Sequence, residues 1–259
     1  MVRTNANKGD LYEAKVYNSV KEITSSYMTV HTQGGGKNPD IPFTHPSHPH
    51  PLAIEVKRSS TDTMGGTSLR FTDSLSPTPV KPVEGFETVF PSIKEKLTQP
   101  LTDYIKRANE LITELNTQTA GKHELITGFP AKIPVVVRKQ LVKEGYQAKI
   151  QSFYTFLLDS WKQFYKEKGS SYIQIGDKGF FHFGENPLNL PIPEITGTLS
   201  LEVRLYAAGT GGKPFARVEI ALKFKGLKCE KSPYTLNDPE HIALLFKPPT
   251  LESPAPSSQ

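Results

Sequence analysis

Two stretches near the C-terminal end of the chain alternate apolar and polar residues, and they constrain the fold more than any other feature. In residues 199–206 and again in residues 217–224, every second residue is apolar, and the residues between them are mostly polar or charged. Successive side chains of a β-strand point to opposite faces, so this period predicts two strands that each bury one face. The glycine-rich residues 209–213 connect them into a predicted long hairpin.

Periodicity in the rest of the chain predicts an α/β fold, with a central mixed β-sheet flanked by helices and a C-terminal β-rich elaboration. Apolar residues at helical spacing predict helices over residues 10–23, about 100–115 and 150–168. Alternating or β-branched runs predict strands over residues 27–32, 52–58, 69–71, 133–138, 172–175 and 179–183. Residues 42–51, which are rich in proline and histidine, and most of residues 59–91 predict loops.

The length of 259 residues and the composition predict a single domain over residues 1–247, followed by a disordered Pro- and Ser-containing tail at 248–259. We expect the catalytic core at about 9–170 and a β-rich part for recognition at about 171–226. No apolar run approaches the roughly 20 residues of a membrane span, and residues 1–8 are polar and lack the apolar stretch that is typical of a signal peptide. The single cysteine, Cys229, excludes an internal disulfide, so we expect a cytoplasmic protein.

Three residues in the N-terminal quarter have the side chains that phosphodiester hydrolysis requires. Asp40 and Glu55 offer carboxylate oxygens, which are the ligands that Mg²⁺ prefers. Lys57 lies two residues after Glu55, so both side chains leave the same face of a predicted strand. A lysine at this position can orient an attacking water or stabilise negative charge on the phosphate. The pattern therefore favours metal-assisted hydrolysis.

These residues resemble a known family signature. Pro39-Asp40, fourteen intervening residues and then Glu55-Val56-Lys57 resemble the PD-(D/E)xK nuclease motif. The resemblance implies a restriction-endonuclease-like core in which Asp40 and Glu55 bind Mg²⁺, with Mn²⁺ able to substitute, and Lys57 is the catalytic lysine. Many members also carry a glutamate on the first core helix that assists the metal site, and Glu13 occupies that place.

The resemblance implies an endonuclease for double-stranded DNA, sequence-specific like type II restriction endonucleases. Cutting both strands usually requires two active sites, so we expect a two-fold homodimer. A junction resolvase, a repair exonuclease or an RNA-cleaving member of the same superfamily are the alternatives within this chemistry. A DNA-binding protein without catalysis is the alternative from another class.

Each of these residues also has a structural interpretation. Asp40 can be a turn residue after proline, and Glu55 with Lys57 an ion pair on a solvated sheet face. Glu13 fits a variant capping box with Asp10 as well as it fits a metal site. The histidines of the 42–51 loop indicate a solvated loop more than a zinc site, because prolines separate them and no cysteine assists.

Candidate DNA contacts lie on the polar side of the predicted hairpin and in its connection. Cations on one side of a β-ribbon can enter a groove of DNA. The predicted contacts are Arg204, Lys213, Arg217 and Lys223. An ordinary solvated sheet face that also contains Glu202 and Glu219 is the alternative. A net charge of +5 is compatible with a polyanionic partner.

Overall fold

A computed structural model describes residues 8–32, 39–71, 77–79, 86–119, 121–146, 151–208 and 214–248. Within these ranges the chain is mixed α/β, and its sheets are flanked by helices. In chain order the elements are α1 (Lys8–Thr24), β1 (Thr29–Val30), β2 (Ile41–Thr44), β3 (Leu52–Lys57), β4 (Gly66–Phe71), β5 (Pro77–Pro79), α2 (Phe86–Gln118), β6 (Ala131–Pro134), α3 (Val135–Lys143), β7 (Gln151–Leu157), α4 (Asp159–Glu167), β8 (Tyr172–Ile175), β9 (Gly179–His182), β10 (Thr198–Ala208), β11 (Phe215–Lys228) and α5 (Pro239–Phe246). Among these helices, none combines the length and apolar character that crossing a membrane requires.

The chain divides into two compact units, each assembled from separate stretches of sequence. The first unit comprises residues 1–62, 164–196 and 229–259, and the second comprises residues 63–163 and 197–228. The first contains a five-stranded sheet, here called sheet A, in the order β1-β2-β3-β8-β9. The second contains sheet B, in the order β5-β4-β11-β10-β7, with β6 also paired to β11.

Sheet A is mixed, and β3 lies at its centre. β2 pairs with β3 in the antiparallel direction, whereas β3 and β8 are parallel. β8 and β9 form the hairpin that the sequence predicts. Sheet A thus combines strands that precede residue 170, β1 to β3, with strands that follow it, β8 and β9.

The core of the first unit lies between sheet A and the helices α1 and α5. Val16 and Val20 of α1 are fully buried, one helical turn apart, and they pack in a cluster with Ile54 and Val56 of β3. These two β3 residues alternate with Glu55 and Lys57 along the strand, as period two requires. Burial of the apolar face therefore directs the two charged side chains away from the helices of this core.

Helix α5 closes the same core and is fixed at its start by a cap. The Asp238 side chain accepts a hydrogen bond of 2.9 Å from the backbone N–H of Glu240, and Pro239 occupies the first turn. Both features stabilise a helix N-terminus because the first N–H groups lack helical partners. Phe246 at the other end is fully buried and contacts the ring of Phe43 edge-on.

In sheet B, β10 and β11 form the long antiparallel hairpin that the alternation predicts. Leu201 lies opposite Phe224 and Val203 opposite Leu222, and all four are buried. Polar residues lie between them on the opposite face. The prediction succeeds because the alternation extends over many residues, so a shift by one residue would expose the whole apolar set.

The predicted helix over residues 150–168 is wrong in its first half. Residues 151–157 form β7, which pairs with β10, and only the second half forms a helix, α4. Apolar residues spaced four apart fit both a helix and alternate positions of a strand. Pairing with an already formed hairpin edge supplies backbone partners, which outweighs local helical periodicity.

The predicted strand over residues 133–138 is wrong from residue 135 onward. β6 ends at Pro134, and the β-branched residues that follow open α3. Pro134 occupies the N-cap position of this helix, where its missing N–H costs no helical hydrogen bond. Val137 and Leu141 are buried one turn apart, so packing of this face overrides the strand preference of valine.

Two segments expected as loops contain regular structure. Residues 41–44 form β2 despite Pro42, whose carbonyl accepts a hydrogen bond of 2.9 Å from His31. Helix α2 begins at Phe86, well before the predicted start near residue 100, and continues through Pro100. Leu97 and Leu101 are both buried, so one apolar face continues across the proline. Its packing offsets the cost of an interior proline, about 3 kcal/mol.

Candidate active site

Two antiparallel strands bring the first carboxylate beside the second. Asp40 immediately precedes β2, and its neighbour Ile41 pairs with Ile54 on β3. The backbone N–H of Val56 donates a hydrogen bond of 2.8 Å to Oδ2 of Asp40, which holds this carboxylate against β3. Among the neighbouring charges, Glu55 acts most strongly on Asp40. The turn between the strands therefore brings together two residues that are separated by fourteen intervening residues.

Glu55 is a buried carboxylate held by two lysines. Its side chain is only 2% exposed, which excludes the interpretation of a solvated ion pair. Lys57 donates a hydrogen bond to Oε1, and Lys168, just after α4, donates one of 2.6 Å to Oε2. Burying a charge is costly unless partners compensate it. Two ammonium groups on one carboxylate supply that compensation.

The ammonium group of Lys57 lies among oxygen atoms from three residues. Besides Oε1 of Glu55, its Nζ is 3.2 Å from the carbonyl oxygen of Val56 and 3.8 Å from Oδ2 of Asp40. Burial disfavours its charged form, but the charges of Glu55 and Asp40 outweigh burial and raise the pKa of Lys57 above its ordinary value. Lys57 is therefore a cation at neutral pH and not a general base.

The negative charge of Asp40, in contrast, is not fully balanced by nearby cations. Burial first, and then the charge of Glu55, raise the pKa of Asp40 from 3.8 to about 7, although Lys57 and the Val56 N–H act against this rise. The carboxyl group therefore competes for a proton near neutral pH. Such competition indicates a deficit of positive charge, which a bound cation can fill.

Glu13 lies on α1, and its charge acts on both Asp40 and Lys57. It raises the pKa of both Asp40 and Lys57, and α1 packs against β3. The capping-box interpretation does not fit the helix bounds. Because α1 begins at Lys8, Asp10 lies within its first turn and not at the N-cap, and Glu13 lies beyond the third helical position.

An aromatic pair forms the floor under both lysines. Tyr165 of α4 is 1% exposed and stacks on Phe183, with ring centroids 5.2 Å apart and an interplanar angle of 16°. The ammonium groups of Lys57 and Lys168 lie 5.9 and 5.8 Å from the Tyr165 ring centroid, within the range of cation–π attraction. Lys168 is not among the residues that the sequence predicts for this site. It lies 113 residues from Glu55, and no spacing in the sequence connects the two.

The site contains oxygen atoms of the kinds that a hard cation such as Mg²⁺ prefers, but few carboxylates. Within the described part of the chain, no group of three or more His, Cys, Asp or Glu side chains is arranged to hold a metal ion. Two carboxylates and the Val56 carbonyl nevertheless surround one ammonium group. Oxygen atoms of these kinds are ligands of Mg²⁺. A cation already occupies this oxygen cluster in the form of Lys57.

Comparison with known proteins finds no family model, no curated protein and no solved structure that matches this chain.

The histidines of residues 45–50 have structural contacts. His45 is 6% exposed, and its Nε2 lies 2.8 Å from the carbonyl oxygen of Phe246 in α5. Its Nδ1 accepts a hydrogen bond of 3.1 Å from the N–H of Ser47. His48 and His50 contact each other at the surface. His45 therefore fastens this segment to α5, and both its nitrogens are already used.

The candidate DNA contacts lie on the polar face of sheet B. Arg204, Arg217 and Lys223 share one face of the hairpin, because Arg204 pairs with Ala221, two residues from Lys223 on β11. Arg217 is the most exposed, at 61%, with Glu219 at 3.3 Å. Lys213 lies outside the described residues.

Proposed function

We propose that this chain is a metal-dependent endonuclease of the PD-(D/E)xK superfamily that hydrolyses double-stranded DNA, as type II restriction endonucleases do. The observation that carries the proposal is the buried group formed by Asp40, Glu55 and Lys57 on β3 and the start of β2. Burying two carboxylates together costs stability, and arrangements with strongly shifted pKa values concentrate at functional sites. A restriction-endonuclease-like core is the fold that goes with this proposal.

Asp40 and Glu55 would hold the Mg²⁺ ion, with Glu13 assisting and Mn²⁺ able to substitute. When bound, the ion would supply charge for the phosphate oxygens and lower the pKa of an attacking water. Two observations support the fit: the oxygen cluster around Lys57, and the raised pKa of Asp40. The raised pKa describes a place where additional positive charge is favourable, and the cluster supplies oxygen atoms of the kinds that bind such an ion.

Lys57 and Lys168 take different parts in this proposal. Lys57 contacts Glu55 and Val56 and lies near Asp40, so its ammonium group is positioned to donate to an attacking water or to a phosphate oxygen. Lys168 contacts the other oxygen of Glu55. It holds that carboxylate in place. Lys57 is the proposed catalytic residue, and Lys168 is the proposed positioning residue.

Double-stranded DNA is the proposed substrate because the chain contains much more than a minimal core. The second unit, with its six-stranded sheet, is large enough to recognise a sequence. Cutting both strands usually requires two active sites, so the proposed enzyme is a homodimer. Light scattering of the protein with duplex DNA in Ca²⁺ is expected to give two chains per duplex.

Digestion of supercoiled plasmid tests the proposal directly. With Mg²⁺ or Mn²⁺ we expect linear fragments whose sequenced ends share one site, and with EDTA we expect no cleavage. Preference for branched DNA, duplex ends or RNA would keep the chemistry and change the specificity to that of a resolvase, exonuclease or ribonuclease. Binding without any nicking in either metal would refute the enzyme and favour the non-catalytic DNA-binding protein.

Metal affinity is expected to weaken as the pH falls below 7. The pKa of Asp40 is raised to about 7, so below this pH a proton occupies the oxygen that the ion requires, and above it the carboxylate is free to bind. Each pH unit below 7 then costs about tenfold in affinity. Calorimetric titration with Mn²⁺ on either side of pH 7 measures this, and an affinity that does not change would contradict it.

A further inference from the structure

The polar face of sheet B carries a strong excess of positive charge. Residues directly opposite each other in an antiparallel pair share a face, so the registers of β4, β6, β10 and β11 define it. Among the described strand residues, this face has two acidic side chains, Glu202 and Glu219. Its seven cationic side chains are Arg70, Lys132, Arg204, Arg217, Lys223, Lys225 and Lys228.

Glu202 is a buried carboxylate that forms ion pairs with two of these cations. It is only 2% exposed, and its Oε2 lies 2.6 Å from Nζ of Lys225. Its Oε1 lies 3.8 Å from Arg204, and Lys223 is directly opposite on β11. One buried carboxylate thus pairs with two cations and lies opposite a third. These three cations, Arg204, Lys223 and Lys225, are here called the Glu202 cluster.

One carboxylate does not balance three cations. Burial opposes ionisation of Glu202, but Lys225, Arg204 and Lys223 together hold its pKa below the ordinary value. The pKa of Lys223 is lowered by burial and by repulsion from Arg204 and Lys225, which exceed the attraction of Glu202. The three cations therefore repel one another. Arg204 and Lys225 remain accessible, with side chains 33% and 36% exposed.

We propose that the Glu202 cluster binds the phosphate backbone of double-stranded nucleic acid, with the surrounding polar face of sheet B as its platform. Cations fixed in advance on a rigid sheet lose little entropy when they meet a phosphate. Contacts to phosphate position a protein on a duplex without reading its bases. The inference rests on the proposed function for the kind of polymer that is bound, and the binding itself requires no catalysis.

A pair of triple variants with equal charge tests this binding. The first variant combines Arg204→Ala, Lys223→Ala and Lys225→Ala. The matched control combines Lys106→Ala, Lys139→Ala and Lys143→Ala, which removes three exposed cations from the helices α2 and α3 of the same unit. Both variants lose the same net charge, so only the location differs. Circular dichroism and thermal unfolding establish that each variant is folded.

Binding is measured by fluorescence anisotropy with a short labelled DNA duplex in EDTA across a series of NaCl concentrations. The cluster variant is expected to lose roughly tenfold or more in affinity, and its salt dependence to become shallower by about 2 to 3, close to 0.9 per lost phosphate contact. The control variant is expected to stay within about twofold of the parent. Equal losses in both variants, or no loss in the cluster variant, would overturn the proposal.

If the cluster variant does not fold, the single variant Lys225→Ala gives the same test with a salt dependence shallower by about 1. Polyglutamate serves as a competitor, and displacement of the duplex by polyglutamate as efficiently as by unlabelled DNA would assign the face to acidic polymers in general. EDTA separates this inference from the nuclease proposal. If the cluster variant loses binding and the parent protein never cleaves DNA, the inference still stands. If the parent protein cleaves DNA and the cluster variant binds it normally, only the inference is refuted.

Discussion

The Lys57→Ala variant is expected to cleave DNA roughly a hundredfold more slowly than the parent. This corresponds to a rise in the activation free energy on the order of 3 kcal/mol. The ammonium group of Lys57 lies where the oxygens of Asp40, Glu55 and Val56 meet, and a fixed charge there acts on the reacting phosphate without reorganising. Single-turnover cleavage at saturating Mg²⁺ and enzyme isolates the chemical step. Affinity for DNA in Ca²⁺ is expected to change little, because one buried lysine contributes little to a large interface.

Lys168→Ala is the matched control for Lys57→Ala. Both lysines donate to Glu55 and lie at nearly the same distance from the Tyr165 ring, but only Lys57 also reaches Asp40 and Val56. We therefore expect Lys168→Ala to slow the chemical step by less than about tenfold and to lower the melting temperature of the metal-free protein. Equal slowing in both variants would mean that both lysines act only through Glu55. Cleavage by Lys57→Ala at the parental rate would leave the nuclease signature a coincidence of spacing.

The parts of the fold that the sequence predicts correctly are those in which periodicity and tertiary packing agree. Leu201 and Val203 alternate with charged residues over a long run, and the buried side of β10 is the side that the pattern indicates. Val16 and Val20 likewise mark the buried face of α1. In these elements each residue has one arrangement that buries its apolar neighbours, so local reasoning is sufficient.

The prediction fails where a distant partner decides the local structure. Residues 151–157 become a strand because β10, more than forty positions later in the sequence, offers a free edge. The residues of the candidate site also differ in whether the sequence predicts that they lie close together. Asp40 lies just before β2, and Glu55 and Lys57 lie on the next strand, β3, so their proximity follows from one turn. Lys168 reaches Glu55 across 113 positions, and only the assembled sheet A places it there.

Asp40→Asn is expected to abolish cleavage and, in the absence of metal, to stabilise the protein. The pKa of Asp40 is about 7 in the folded chain and 3.8 in the ordinary environment that unfolding restores. The folded state therefore binds the proton more tightly, and folding loses stability as the pH rises from 3.8 to about 7. At about 1.4 kcal/mol per pKa unit, the loss is on the order of a few kcal/mol. Asparagine keeps an oxygen for the Val56 N–H and carries no charge, so the variant avoids this loss.

Thermal unfolding at two pH values and with two additives tests this pair of effects together. In EDTA above pH 7, we expect Asp40→Asn to melt several degrees above the parent, and near pH 4 we expect the two to melt alike, because the parent is then protonated. Saturating Mg²⁺ should raise the melting temperature of the parent and leave that of the variant nearly unchanged, because an ion that binds only the folded state stabilises it. With Mg²⁺, the melting temperature of the parent is then expected to equal or exceed that of the variant. A variant that melts below the parent in EDTA at high pH would show that Asp40 is a stabilising turn residue, and Mg²⁺-dependent cutting by the same variant would remove Asp40 from the site.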